Sequence, residues 1–114
     1  MIIIKQGVDV RDLHPIMWNL IYDIEPFYEE EGLDFVITAA LDGVHMDFSK
    51  HYSGVGIDIR TRTLNDPREM FVRIKSVIHP AFDVVLHSTH MHIEYDPKNQ
   101  DERISGITQT LRKT

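Results

Sequence analysis

Apolar residues recur at three- and four-residue steps in two segments of the chain. The first segment runs from about Asp12 to Glu31 and the second from about Pro67 to Ile78. This spacing is typical of a helix with one apolar face. Pro26 lies inside the first segment, and an interior proline removes a backbone hydrogen bond, so we expect a kink or a break near Glu25. The pattern therefore predicts two helices, the first of them disturbed near its end.

Four other segments have the composition or the alternation of β-strands. Val55, Ile57 and Ile59 alternate with small and charged residues, which predicts a strand with one apolar face. The other three are rich in β-branched and aromatic residues. The predicted strands cover about 34–39, 54–62, 82–86 and 91–95. Because helices and strands do not alternate regularly, we predict an α+β fold, with a small, mostly antiparallel sheet and helices packed on one face.

The length of 114 residues is typical of a single domain, and we assign 1–114 to one domain with a polar tail, 97–114, that we expect to be loosely ordered. The chain has no cysteine, which excludes a disulfide scaffold, a cysteine-type zinc finger and a cysteine nucleophile. The net charge is −6 and no stretch is a Lys/Arg cluster, so we expect neither a nucleic-acid nor a membrane partner.

The opening residues Met1 to Ile4 are apolar, but Lys5 follows them immediately. Such a run is too short for a signal peptide, and no other run approaches the roughly 20 residues of a membrane span. We therefore predict synthesis in the cytoplasm without an export signal.

Histidines are the candidate chemistry of the chain: it has seven, and six of them lie between His45 and His92. In the segment His90-Met91-His92-Ile93-Glu94, residues two apart lie on the same face of a strand. His90, His92 and Glu94 are therefore expected on one face, with the two apolar residues toward the core.

A second segment, Ser49 to Asp58, contains a histidine, two glycines and an acid. If its strand neighbours the His90–Glu94 strand, His51, Asp58 and one histidine of the pair can converge. Two imidazoles and one carboxylate leave a tetrahedral zinc one position for water, as in catalytic sites. Non-haem iron is a rival for the same ligand types. The residues alone also allow histidines that bind no metal.

The two segments resemble a known family. Ser49-x-His51-x-x-Gly54-x-Gly56-x-Asp58 is similar to the S-x-H-x-x-G-x-A-x-D signature of the zinc D-alanyl-D-alanine carboxypeptidase and L-alanyl-D-glutamate endopeptidase family, and His90-x-His92 is similar to its H-x-H motif. The resemblance extends over about 36–97 and includes phage endolysin-like members. It implies the zinc peptidase fold shared with lysostaphin-type enzymes and hedgehog domains, and peptidoglycan stem peptides as substrate.

The resemblance also assigns roles to individual residues. It implies that His51, Asp58 and His92 bind Zn²⁺ and that His90 handles protons beside the metal. Glu94 and His87 are the other candidates for this catalytic role. Ser49 and His45 are candidates for supporting the site or contacting the substrate. A protein of this kind would reach the cell wall by a separate release route or as part of a virion.

One alternative stays open within the same resemblance. Many members have a substrate-binding arginine upstream of the first zinc histidine, and residues 37–50 contain none. Hedgehog domains keep this zinc site in proteins whose main role is not hydrolysis. The alternative is therefore a non-catalytic structural or binding module that contains zinc.

Overall fold

A computed structural model describes residues 1–41 and 55–96. Two helices and five strands lie in these ranges. In chain order they are β1 (Ile2–Ile4), α1 (Pro15–Glu30), β2 (Phe35–Leu41), β3 (Gly56–Arg60), α2 (Pro67–Val77), β4 (Phe82–Leu86) and β5 (His90–Tyr95). The candidate residues His45, Ser49 and His51 lie outside the described residues, as does the predicted tail 97–114.

The five strands form one sheet in the order β1-β2-β3-β5-β4. β1 pairs with β2 in parallel, and the other three pairings are antiparallel. The α+β class and the mostly antiparallel sheet are therefore confirmed. β1 was not predicted, because three consecutive isoleucines show neither an alternation nor enough length to mark a strand.

The hydrophobic core lies between one face of the sheet and the two helices. Met17, Ile21 and Ile24 of α1 and Ile74 of α2 are fully buried in the same cluster as the apolar strand residues. The strand residues of this cluster are Phe35, Ile37, Ile57, Ile59, Phe82, Val84, Met91 and Ile93. This confirms that the helices pack on one face, and it leaves the residues between these apolar positions on the opposite face.

Of the kink or break expected near Glu25, a break does not occur, since α1 runs without interruption from Pro15 to Glu30 with Pro26 inside it. Pro26 is exposed, so its ring meets no core neighbour. The buried residues Ile24 and Tyr28 lie on either side of it and hold both halves of the helix against the sheet. Packing of one apolar face therefore outweighs the loss of one backbone hydrogen bond.

Helix ends are set by local side-chain contacts. His14 caps α1 by accepting a hydrogen bond from the Ile16 amide at Nδ1 (3.1 Å), and Asp66 caps α2 by accepting one from the Glu69 amide (3.0 Å). Both helices have a proline in the first turn, where no backbone donor is needed. Among the helices of the described ranges, none has the length and apolar character that a membrane crossing requires.

Candidate metal centre

The pairing of β3 with β5 brings the polar residues of the two strands together. Asp58 lies opposite His92, Arg60 opposite His90, and Gly56 opposite Glu94. The condition set for the two motifs to converge, that their strands are neighbours, is therefore met. All these residues alternate with buried isoleucines and Met91, so they lie on the sheet face opposite the helices.

Backbone hydrogen bonds explain why Asp58 and His92 are so close. The Thr61 amide donates to the Thr89 carbonyl, and the Tyr95 amide donates to the Val55 carbonyl. Hydrogen-bonded and non-hydrogen-bonded positions alternate along an antiparallel pair, which makes Asp58 and His92 a non-hydrogen-bonded pair. Side chains are closest at such positions.

The side chains of Asp58 and His92 are in direct contact. His92 Nδ1 lies 2.6 Å from Asp58 Oδ1, and the two side chains are 21% and 22% exposed. An imidazole nitrogen and a carboxylate oxygen therefore face each other on a half-buried part of the sheet surface. These are two of the donor types that zinc binds in catalytic sites.

Glu94 lies on the other side of the His92 ring. Its Oε1 is 3.8 Å from His92 Nε2. Histidine ligands commonly bind a metal through one ring nitrogen while a carboxylate faces the other, which fixes the ring and raises its basicity. In the structure Nδ1 is hydrogen-bonded to Asp58 Oδ1, and Glu94 is too far from Nε2 for a hydrogen bond, so a metal held by Nδ1 would replace the proton between His92 and Asp58. Imidazole and carboxylate are both donor types that zinc binds.

His90 and His87 extend the polar cluster along the same face. His90 Nε2 is 3.8 Å from Asp58 Oδ2, and its side chain is 33% exposed. The rings of His87 and His90 are stacked, with centroids 4.6 Å apart and planes inclined by 27°. The three residues expected to handle protons therefore have different surroundings. His90 lies beside Asp58, and Glu94 faces His92. His87 stacks on His90.

The neighbouring strand β2 supports Asp58 from its other side. The register between β2 and β3 shifts between Ile37 and Ala39, and Ala39 lies opposite Asp58. The Thr38 hydroxyl donates to the Asp58 carbonyl oxygen at 3.3 Å. Irregularities of this kind re-aim side chains and are frequent next to functional sites. The sequence did not indicate this contact, since Thr38 reads only as a strand residue.

The charges on this face are mainly negative. Asp83 of β4 lies opposite Glu94, and Glu94 is next to Asp58 on this face. Arg60 is the only lysine or arginine within β3, β4 and β5. Arg60 forms no ion pair with any residue of the described ranges. The polar face can therefore attract a cation near Asp58 and still present one guanidinium to a carboxylate.

Within residues 1–41 and 55–96, no group of three or more histidine and acidic side chains has an arrangement that could hold a metal ion. The described part of the centre is thus a pair, Asp58 and His92, with Glu94 behind it. The third ligand implied by the resemblance, His51, lies outside the described residues, together with Ser49 and His45.

Comparisons with known proteins add no relative. No protein-family model matches the chain, and no curated protein or solved structure matches it significantly.

Proposed function

We propose that the protein is a zinc-dependent peptidase that hydrolyses amide bonds in peptidoglycan stem peptides, and that it is of phage or prophage origin. The observation that carries the proposal is the contact of Asp58 with His92 on the sheet face opposite the helices. The two residues come from the two separate motifs that resemble the zinc carboxypeptidase and endopeptidase family. The proposal includes the zinc peptidase fold of that family.

In this proposal His51, Asp58 and His92 hold the zinc ion. When bound, zinc would lower the pKa of a water molecule to about 7 and would polarise a carbonyl. The negative charge of Glu94, 3.8 Å from Nε2, would favour the ring orientation in which Nδ1 faces Asp58. The three protein ligands leave one position for water or substrate, as in catalytic zinc sites.

His90 is the residue that moves the proton in this proposal. Its Nε2 points toward Asp58 from the neighbouring position on the same face. A group that must give a proton to the leaving amine has to lie beside the reacting atoms, and His90 is closer to Asp58 than His87 is along this cluster. Ser49 and His45 are assigned to the segment around His51, where they support the site or contact substrate.

A non-catalytic module with the same zinc site is the second candidate. It is favoured by the absence of an arginine from residues 37–50, where many family members bind substrate. Arg60 offers a guanidinium on the same face, but from the strand that carries Asp58. The two candidates share the metal ligands and differ only in turnover.

Turnover on peptidoglycan tests the proposal. Zinc-loaded protein is incubated with purified peptidoglycan of several stem-peptide types, and released fragments are identified by mass spectrometry. His92→Ala is the inactive control, and His14→Asn is the matched histidine control, because asparagine retains the capping of α1. Cleavage by the wild type and by His14→Asn alone supports the peptidase and identifies the bond. Zinc binding without cleavage of any wall type supports the module.

A further inference from the structure

Exposed apolar side chains are concentrated at the free edge of β1. Seven large hydrophobic residues are exposed within residues 1–41 and 55–96, and four of them lie on β1 or beside it: Met1, Ile3, Ile4 and Tyr22. At this end of the described sheet β1 has only β2 as a neighbour. An exposed, apolar edge strand is a surface to which another strand can be added.

The backbone of β1 directs hydrogen-bonding groups to this edge. The Phe35 amide donates to the Met1 carbonyl, and the Lys5 amide donates to a carbonyl of β2. The odd-numbered residues of β1 therefore make the bonds to β2. In a parallel pair, the residues between them direct their N–H and C=O groups away from the partner strand. Ile2 and Ile4 thus present two donors and two acceptors at the free edge.

One side of α1 adds aromatic surface beside the same edge. Glu25 accepts a hydrogen bond from the Met1 amino group at 3.0 Å, so this side of α1 lies next to β1. Tyr22 is three residues before Glu25, and Trp18 is four residues before Tyr22, which places the three on one side of the helix. The two ring centroids are 6.3 Å apart, and Tyr22 is 62% exposed. Strand addition at β1 would bring a partner toward these rings.

A second copy of β1 matches this edge when the two strands run antiparallel about a twofold axis at Ile3. Ile2 of each chain then lies opposite Ile4 of the other, so all the free backbone groups of both residues are paired. Ile3 lies opposite its own copy at a non-hydrogen-bonded position, where side chains are closest. The contact is identical on both chains, as a twofold interface requires.

The charges beside β1 are complementary in the same register. Lys5 lies opposite Met1 of the second copy, and Asp34 is next to that Met1, with its Oδ1 3.9 Å from the amino group. Lys5 and Asp34 both lie one residue from a position that faces the helices, so they share the opposite sheet face. Lys5 forms no ion pair with an acid of the described ranges. The twofold axis therefore brings each Lys5 near a carboxylate of the other chain.

We propose that the protein forms a homodimer in which β1 pairs antiparallel with β1 of a second copy and the two α1 helices lie side by side on the same face of the joined sheet. The contact involves one short strand and one helix side, so the dimer should depend on concentration. The inference does not rest on zinc or on peptidase activity, because Asp58 and His92 belong to strands that do not pair with β1.

Cysteine cross-linking tests the register, since the chain has no cysteine of its own. In Ile3→Cys the two new thiols would face each other across the axis, within reach of a disulfide. Val85→Cys, at the opposite edge of the sheet, is the matched control. Val85 is 45% exposed and Ile3 is 36% exposed, so exposure alone favours the control. Mild oxidation should link Ile3→Cys into dimers and leave Val85→Cys mostly unlinked. An equal or lower yield from Ile3→Cys would overturn the inference.

Sedimentation equilibrium of the 114-residue chain measures the dimer itself. The wild type should approach twice the mass of one chain as its concentration rises. Ile4→Pro should be monomeric, because it removes an amide that points to the second copy, and proline is tolerated at such edge positions. Ile4→Val retains the amide and should dimerise like the wild type. Thermal unfolding checks that Ile4→Pro is folded.

A charge exchange gives a second test that leaves the backbone unchanged. Lys5→Glu should raise the dissociation constant about tenfold, and adding Asp34→Lys should restore it. Lys75→Glu, on α2, changes the same charge and should have no such effect. A wild type that is monomeric at every concentration would overturn the inference. A dimer that withstands both a folded Ile4→Pro and Lys5→Glu would also overturn it, because the contact would then lie elsewhere.

Discussion

The His92 imidazole and the Asp58 carboxylate face each other across two antiparallel strands, with Nδ1 2.6 Å from Oδ1. Their positions follow from the register, which makes them directly opposite at a non-hydrogen-bonded pair. An acid and a histidine from separate sequence motifs therefore meet on the sheet face opposite the helices. The proposed zinc site depends on this relationship.

Replacing His90 with alanine should leave zinc binding intact and reduce the rate of peptide hydrolysis. General acid–base residues typically contribute about 10²- to 10⁴-fold, so we expect a loss of kcat in this range. The measurement is kcat on the peptide identified from cleaved peptidoglycan, with zinc content determined on the same sample. A full rate in this variant would assign proton transfer to another group.

Glu94→Gln should weaken zinc binding about 10- to 100-fold, because the carboxylate that faces the outer nitrogen of a histidine ligand raises its basicity. Competition with a chelator of known affinity measures this change. Asp83→Asn is the matched control, since Asp83 lies opposite Glu94 and loses the same charge. If both variants weaken zinc binding equally, the effect comes from the total negative charge of the face and not from the position of Glu94.

The placement of these residues could be predicted only in part from the sequence. Period-two alternation put His90, His92 and Glu94 on one face, and Asp58 on the polar face of a second strand, and both placements are confirmed. The pairing of the two strands could only be assumed, because local alternation does not encode which distant segments pair. The residues of the motif at 49–51 lie outside the described residues.

Other parts of the structure depend on packing that the sequence pattern does not contain. The helix continues through Pro26 because buried residues flank it, whereas local propensity favours a break. The strand β1 is too short to show a pattern. The stacking of His87 on His90 arises from the pairing of the two residues across the turn between β4 and β5 and from side-chain orientation, which local alternation does not encode.

Tyr28→Phe should stabilise the protein. The Tyr28 hydroxyl is fully buried and has no hydrogen-bond partner within residues 1–41 and 55–96, so its removal should raise the free energy of unfolding by about 1 kcal/mol. Tyr22→Phe, at an exposed position on the same helix, should have no comparable effect. Denaturant unfolding of the two variants measures the difference, and a destabilised Tyr28→Phe would indicate that the hydroxyl has a partner after all.

The same residue predicts a dependence of stability on alkaline pH. Burial raises the pKa of Tyr28 well above its ordinary value of 10.0, and the charge of Glu31 adds to this. Above pH 10 the unfolded chain therefore loses this proton before the folded chain does, so stability should fall as the pH rises. Tyr28→Phe should lose less stability than the wild type between neutral pH and pH values above 10, as followed by unfolding at each pH.

Asp66→Ala should destabilise the protein by about 1 kcal/mol, because it removes the side chain that accepts a hydrogen bond from the Glu69 amide at the start of α2. Asp66→Asn should retain most of this stability, since asparagine caps helices about as well as aspartate. Unfolding of the two variants in denaturant compares them. Equal losses would show that the negative charge of Asp66 matters more than its capping hydrogen bond.

Zinc binding by the 114-residue chain decides whether the proposed site exists. Equilibrium dialysis against Zn²⁺ should give one tightly bound ion per chain for the wild type and for His14→Asn. Asp58→Ala, His92→Ala and His51→Ala should each lose this ion or bind it much more weakly, while remaining folded. One equivalent of zinc held with undiminished affinity by Asp58→Ala and His92→Ala would contradict the account, because the pair that meets between β3 and β5 would then not be the metal site.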